Sequence, residues 1–86
     1  MRVTVRFYAR LRDLTGSRQH ACEAPDGATV HDVWRACVKA YPAIAVLEGS
    51  VSCAVNDDFS AMNAPIHDGD EVAFLPPVSG GNGTEP

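Results

Sequence analysis

In Thr29-Val30-His31-Asp32-Val33-Trp34-Arg35-Ala36-Cys37-Val38-Lys39-Ala40-Tyr41-Pro42, the residues Val30, Val33, Trp34, Cys37, Val38 and Tyr41 recur at steps of three and four. That spacing lines them up as one apolar stripe and predicts a helix from Val30 to Tyr41. Thr29 stands where an N-cap belongs. Asp32, three residues on, completes a pattern close to a capping box and suits the positive end of the helix dipole. Pro42 stops the helix, because the residue before a proline is pushed out of the helical region. Trp34 lies on the stripe, which makes it core rather than a platform for a ligand. One stripe of this width must be buried against something flat, so the flanking segments have to supply a sheet.

They read as strands. Towards the N-terminus, Val3, Val5 and Phe7 alternate with Arg2, Thr4 and Arg6, the period of a half-buried strand over residues 2–9. Tyr8 falls on the outward phase. Residues 10–15 are too few for a long helix and end at the Gly16-Ser17 turn. Residues 18–24 suggest a second strand, closed by Pro25-Asp26-Gly27. Beyond the helix, residues 43–50 have no decisive period; a short helical turn closed by Gly49 fits them. Residues 51–56 look like a third strand, Asn56-Asp57-Asp58 like a turn, and Phe59–Met62 like a short strand. Asp68-Gly69-Asp70 is a further turn. Glu71–Leu75 then form the last strand, Val72 and Phe74 on one face and Ala73 and Leu75 on the other. Pro76-Pro77 ends it, since neither can donate a ladder hydrogen bond. The main elements run β-β-α-β-β. The expected architecture is an α+β layer pair, a mixed sheet with one main helix packed across one face. Residues 1–78 make one domain, and residues 79–86 a mobile tail containing Gly80-Gly81.

At 86 residues and 45% hydrophobic content, the chain can bury a modest core but has little room for a deep pocket. That points to a carrier, adaptor or subunit rather than a self-contained enzyme. The formal charge is −4, with Arg2, Arg6, Arg10, Arg12 and Arg18 gathered near the N-terminus and Asp57, Asp58, Asp68, Asp70 and Glu71 later on. A nucleic-acid binder would show a basic excess, so no nucleic-acid partner is expected. The acidic half suits a basic surface on another protein. Cys22, Cys37 and Cys53 are odd in number and widely spaced, with no metal-binding pair; they read as small buried hydrophobes rather than reactive thiols. His20, His31 and His67 show no ligand spacing and read as surface or turn residues, so no metal site is expected. The acids around Asp68 lack the rest of an EF-hand pattern. Met1-Arg2 leads straight into a strand and no apolar run approaches membrane-spanning length, so no leader and no membrane partner are expected. A reducing cytoplasm fits the unpaired cysteines.

The tail reads differently. Phe74-Leu75-Pro76-Pro77-Val78-Ser79-Gly80-Gly81 runs from a core strand through a stiff spacer into two glycines. On its own this is a strand end with a flexible linker. Joined to Asp68-Gly69-Asp70-Glu71-Val72-Ala73, however, the run resembles the end of the MoaD/ThiS family of ubiquitin-like sulfur carriers, and in particular its molybdopterin synthase small subunits. The resemblance extends to Phe7-Tyr8-Ala9, the Leu11–Gly16 segment, Asp26-Gly27-Ala28-Thr29-Val30 and Ala54-Val55-Asn56, and so covers residues 1–81 in collinear order. It implies the ubiquitin-like β-grasp fold.

It also implies a mechanism. A MoeB-like adenylating enzyme uses ATP on the carboxylate of Gly81, and sulfur transfer gives a thiocarboxylate. The loaded tail enters a MoaE-like large subunit, where sulfur passes to a pterin precursor in molybdenum cofactor biosynthesis. No cofactor is bound by the chain itself. It is then the non-catalytic sulfur-donor subunit of a sulfurtransferase. The chemistry is sensible for this tail. A carboxylate is a poor electrophile until converted to an anhydride. Gly80 and Gly81 lack Cβ atoms and can thread a narrow channel. Pro76 and Pro77 limit the conformations frozen on insertion. Tyr8 and Leu75, with Pro76, Pro77, Val78 and Ser79, are the expected partner-binding residues, in an apolar patch rimmed by charges such as Arg10 and Glu71. The family often has an aromatic at the position of Leu75, which weakens an aromatic anchor there while keeping the patch apolar.

Family members usually end at the second glycine, whereas this chain continues with Asn82-Gly83-Thr84-Glu85-Pro86. Three explanations stay open: a protease removes residues 82–86, the extension is non-native, or this copy is no carrier. The rival functions are a carrier for another pathway (thiamin thiazole, cysteine or tRNA thiolation) and a ubiquitin-like binding module or modifier.

Overall fold

A computed structural model describes residues 1–77. The elements are β1 (Arg2–Phe7), α1 (Arg10–Thr15), β2 (Gln19–Glu23), α2 (Val30–Ala40), a 3-10 segment (Pro42–Leu47), β3 (Ser52–Val55), β4 (Asp58–Ser60) and β5 (Glu71–Leu75). The strands form one five-stranded sheet in the order β2-β1-β5-β3-β4. Only β1 and β5 run parallel, with Val5 beside Val72 and Phe7 beside Phe74. The other three pairings are antiparallel.

The alternation in β1 comes out as expected: Val3, Val5 and Phe7 are buried, while Arg2 and Arg6 are exposed. α1 ends where Gly16 takes φ 72° and donates its N–H to the Arg12 carbonyl at 2.8 Å, a left-handed cap that suits a residue without Cβ. α2 opens on a true capping box. The Asp32 N–H donates to Thr29 Oγ1 at 3.3 Å, and the Thr29 N–H donates to Asp32 Oδ2 at 2.9 Å. The helix buries Val30, Val33, Trp34 and Cys37 against the sheet. Trp34 meets Phe74 edge-on with ring centroids 5.1 Å apart, and its Nε1–H donates to Glu48 at 2.7 Å. That bond ties the loop after the 3-10 segment to the helix and leaves the indole without an orphaned donor.

The short helical turn expected over residues 43–50 is a 3-10 segment that starts at Pro42 and buries Ile44 and Leu47. One expectation changes. The short strand lies at Asp58–Ser60, one residue earlier than its sequence suggests, and pairs with β3, so the order becomes β-β-α-β-β-β. The cause is the turn. Asn56 and Asp57 both have positive φ, 50° and 73°, as a two-residue type I′ hairpin requires, and Asp58 is drawn into the ladder opposite Val55.

Candidate functional site

β5 is the middle strand of five, between β1 and β3, and leads directly into Pro76-Pro77. Its inward residues Val72 and Phe74 are fully buried against α2. Its outward residues Glu71, Ala73 and Leu75 join the face that no helix covers. The registers fix the row that crosses this face: Gln19, Arg6, Ala73, Ala54 and Phe59 stand side by side on the five strands. The next row towards the tail has Leu75 opposite Ser52, with Tyr8 following Phe7 at the end of β1. Tyr8 is 41% exposed and Phe59 78% exposed. Tyr8, Leu75, Ala73 and Phe59, with the buried Ala54 between the last two, therefore give the outer face of the sheet an apolar character.

The parallel β1–β5 ladder ends with Phe7 beside Phe74, so the expected Tyr8 and Leu75 are the residues that follow on these two neighbouring strands. Pro76 is half-buried and Pro77 exposed at the exit. Val78, Ser79, Gly80 and Gly81 lie outside the described residues. Phe59 was missed by sequence reasoning, because a three-residue strand shows no period. The available signal was parity: Cys53 reads inward, so Ala54 and its hairpin partner Phe59 read outward. The charge in the row is Arg6, while Arg10 stands exposed at the start of α1, two residues after Tyr8. Arg6 forms an ion pair with Glu71 across neighbouring strands, Nε to Oε2 at 2.6 Å. Tyr8 is also followed by an unusual link. Ala9 has φ 50° and ψ −124°, a conformation normally left to glycine, and turns the chain from β1 into α1.

The other polar groups are structural. Asp68 and Asp70 fold the turn before β5. Asp68 Oδ1 accepts the Arg2 N–H at 2.7 Å, and Asp70 accepts the Asn56 side-chain amide at 2.9 Å and the His67 N–H at 2.8 Å. The bond from Asn56, reinforced by that from His67, holds the Asp70 carboxyl below the usual carboxylate range. Among the described residues no group of three His, Cys, Asp or Glu could hold a metal ion. His31 and His67 are exposed as expected. His20 is not a surface residue: it sits on the inward side of β2, half-buried, 3.4 Å from the Tyr41 hydroxyl and edge-on to that ring. All three cysteines are unpaired and buried. Burial pushes the Cys37 thiol up to about 12 and raises Cys22 and Cys53 as well, so none is poised as a nucleophile.

An apolar sheet face at the strand end that leads into Pro76-Pro77 suits contact with another protein. Known proteins resemble the chain in sequence and fold. A family model described as "ThiS family" matches residues 5–81. The molybdopterin synthase sulfur carrier subunit of Escherichia coli is 35% identical over 81 residues, which cover 92% of this chain and 99% of that protein. The crystal structure of SAMP1, a small archaeal modifier protein from Haloferax volcanii, superposes with a TM-score of 0.84 at 30% identity, covering 93% of this chain and 99% of that one. A structure of subunits 1 and 2 of the molybdopterin-converting factor of Helicobacter pylori in complex matches with a TM-score of 0.65 at 28% identity, covering 93% of this chain and 99% of the matched one. With the family model spanning nearly the whole β-grasp body and the stretch that follows it to Gly81, the chain belongs to the ThiS family of ubiquitin-like sulfur carriers.

Proposed function

We propose that this chain is the sulfur-carrier subunit of a molybdopterin synthase and that the group it carries is bonded to the backbone carbonyl of Gly81. The observation that supports this most is the likeness to the molybdopterin synthase sulfur carrier subunit of Escherichia coli over 92% of the chain. The Gly81 carboxylate, once exposed by removal of residues 82–86, attacks the α-phosphorus of ATP on a MoeB-like enzyme and pyrophosphate leaves. A sulfur nucleophile then displaces AMP, because a mixed anhydride has a far better leaving group than a carboxylate. The resulting thiocarboxylate is delivered to a MoaE-like large subunit and its sulfur to a pterin precursor. The acids, bases and anion-stabilising donors belong to the partners. This chain supplies reach, fit and the outer face on which it is held.

The test uses a chain ending at Gly81, incubated with a cognate adenylating enzyme, ATP and a sulfur donor, and weighed intact. A mass gain of one sulfur-for-oxygen exchange is expected, and addition of the large subunit and precursor should reverse it. Absence of the exchange would sink the reading. Gly81→Ala should abolish transfer while leaving the fold untouched, since a methyl group enters a channel sized for hydrogen.

A second reading has its own support, the higher TM-score of 0.84 to the archaeal modifier protein SAMP1. In that case Gly81 becomes linked to lysines of other proteins, or its sulfur goes to another pathway. Adducts to lysine in the native cell, or exchange that persists without any large subunit gene, select it.

A further inference from the structure

Arg6, Phe7, Tyr8, Arg12, Arg18 and Gln19 enclose a cleft of about 370 Å³ at the end of the sheet, where β1 turns into α1 and β2 begins. Three arginines line it, Arg6 from β1, Arg12 from α1 and Arg18 from the loop that leads into β2. Their backbones are tied down. The Phe7 N–H donates to the Arg18 carbonyl at 2.9 Å, and the Arg12 carbonyl accepts from Gly16 at 2.8 Å. Arg6 is engaged by Glu71. Arg12 and Arg18 form no ion pair among the described residues, although the chain as a whole is acidic at −4. The cleft thus concentrates uncompensated positive charge, with the Tyr8 hydroxyl and the Gln19 amide beside it.

Position decides what it receives. The guanidiniums are exposed, and a free anion there competes with water and is screened by salt. The cleft also adjoins the apolar outer face. Tyr8 is a wall of one and a member of the other, and Arg6 stands beside Ala73 in the row that crosses the sheet. A protein seated on the apolar face therefore covers the cleft, excludes water from it and strengthens any carboxylate–guanidinium pair formed inside. Apolar centre and charged rim is the usual anatomy of such contacts. We propose that the Arg12–Arg18 cleft receives the carboxylates of an acidic segment on the adenylating enzyme that acts on Gly81. Planar guanidiniums would fix the orientation of the body, and the local field would speed encounter. This inference rests on the carrier reading given above.

The experiment compares chains ending at Gly81: wild type, Arg12→Glu/Arg18→Glu, and Arg35→Glu/Lys39→Glu on α2 as a control with the same change in charge. Association with the adenylating enzyme is followed by stopped flow from low to high salt, and thiocarboxylate formation by intact mass. Because both arginines are exposed, melting temperatures should match. The cleft variant should associate on the order of tenfold to hundredfold more slowly at low salt and lose most of its salt dependence. Its turnover at saturating enzyme should be unchanged, and the control should follow wild type. Equal rates for wild type and the cleft variant, or an equal loss in the control, overturn the proposal. So does saturable binding of inorganic phosphate at Arg12 and Arg18 that the enzyme fails to displace, which would make the cleft a small-anion site. A wild-type chain that is never thiocarboxylated overturns the carrier reading itself, and the cleft with it.

Discussion

Ala9 holds a backbone conformation that an L-residue rarely adopts, at the point where the chain leaves β1 and Tyr8 is presented to solvent. Such a conformation costs about 1–3 kcal/mol when a Cβ is present. Glycine removes the clash but adds about 0.5–1 kcal/mol of unfolded-chain entropy. Ala9→Gly should therefore stabilise the protein by about 1 kcal/mol on balance. A raised urea midpoint at unchanged slope is the expected result, and an unchanged or lowered midpoint would show that the strain is not there. Phe59 makes the opposite case at the same scale. At 78% exposure it contributes little to folding, so Phe59→Ser should alter stability by less than about 0.5 kcal/mol. If the outer face is the docking face, the same change should raise the KM for thiocarboxylation while sparing turnover at saturation. Nothing in the neighbouring sequence marks Ala9, and Phe59 is marked only by its parity with Cys53. The φ of Ala9 is imposed by where β1 and α1 must go, and the exposure of Phe59 follows from its place on β4, the edge strand of the sheet.

Among elements, the hairpin of β3 and β4 is fastened to the turn before β5 through the backbone and side chain of one residue. Asn56 donates its backbone N–H to the Glu71 carbonyl at 2.8 Å, accepts the Glu71 N–H on Oδ1 at 3.0 Å, and donates from Nδ2 to Asp70 at 2.9 Å. It does so at φ 50°, a value asparagine tolerates better than most residues. Asn56→Ala removes both side-chain bonds, one of them to a charged group, and should cost about 2 kcal/mol by urea denaturation. It should also change the acid limb of the stability curve. Asp70 is held below the ordinary carboxylate range chiefly by Asn56, and Asp32 by the Thr29 N–H at the start of α2. In the unfolded chain both return to ordinary values and take up protons first as pH falls. Their stabilising contribution is thus complete above about pH 4 and is lost below it, as the pH drops through the folded-state values. The variant should show a shallower loss on acidification, because its Asp70 no longer has the main partner that lowers it. An identical acid limb in both proteins would show that Asn56 does not set the Asp70 carboxyl.

Across the whole molecule, the legible features are those with a local cause. The α2 stripe, its Thr29–Asp32 box and the two faces of β5 are each decided within a few residues, and each stands as read. The hidden features need distant partners. That β1 lies parallel to β5, or that His20 meets Tyr41 across the core edge, follows only from how the layers close. Closure has a chemical consequence for the thiols. Cys22 and Cys37 belong to the same buried cluster as Trp34 and Phe74, and Cys53 sits under the β3–β5 ladder with its Sγ 3.1 Å from the Ser60 carbonyl. With Cys37 pushed up to about 12 and the other two raised, little thiolate forms near neutrality and none of it is at the surface. If the chain carries sulfur on the Gly81 carbonyl as proposed, its body offers no competing thiol to a persulfide. An aromatic disulfide reagent in native buffer should accordingly modify no cysteine in a fast phase. Each should react slowly, at a rate that rises with urea in parallel with global unfolding, because only the opened chain exposes it. A burst equivalent to one thiol, or a rate indifferent to urea, would mean that one cysteine is reached by local opening, and that the body is not inert towards the sulfur it carries.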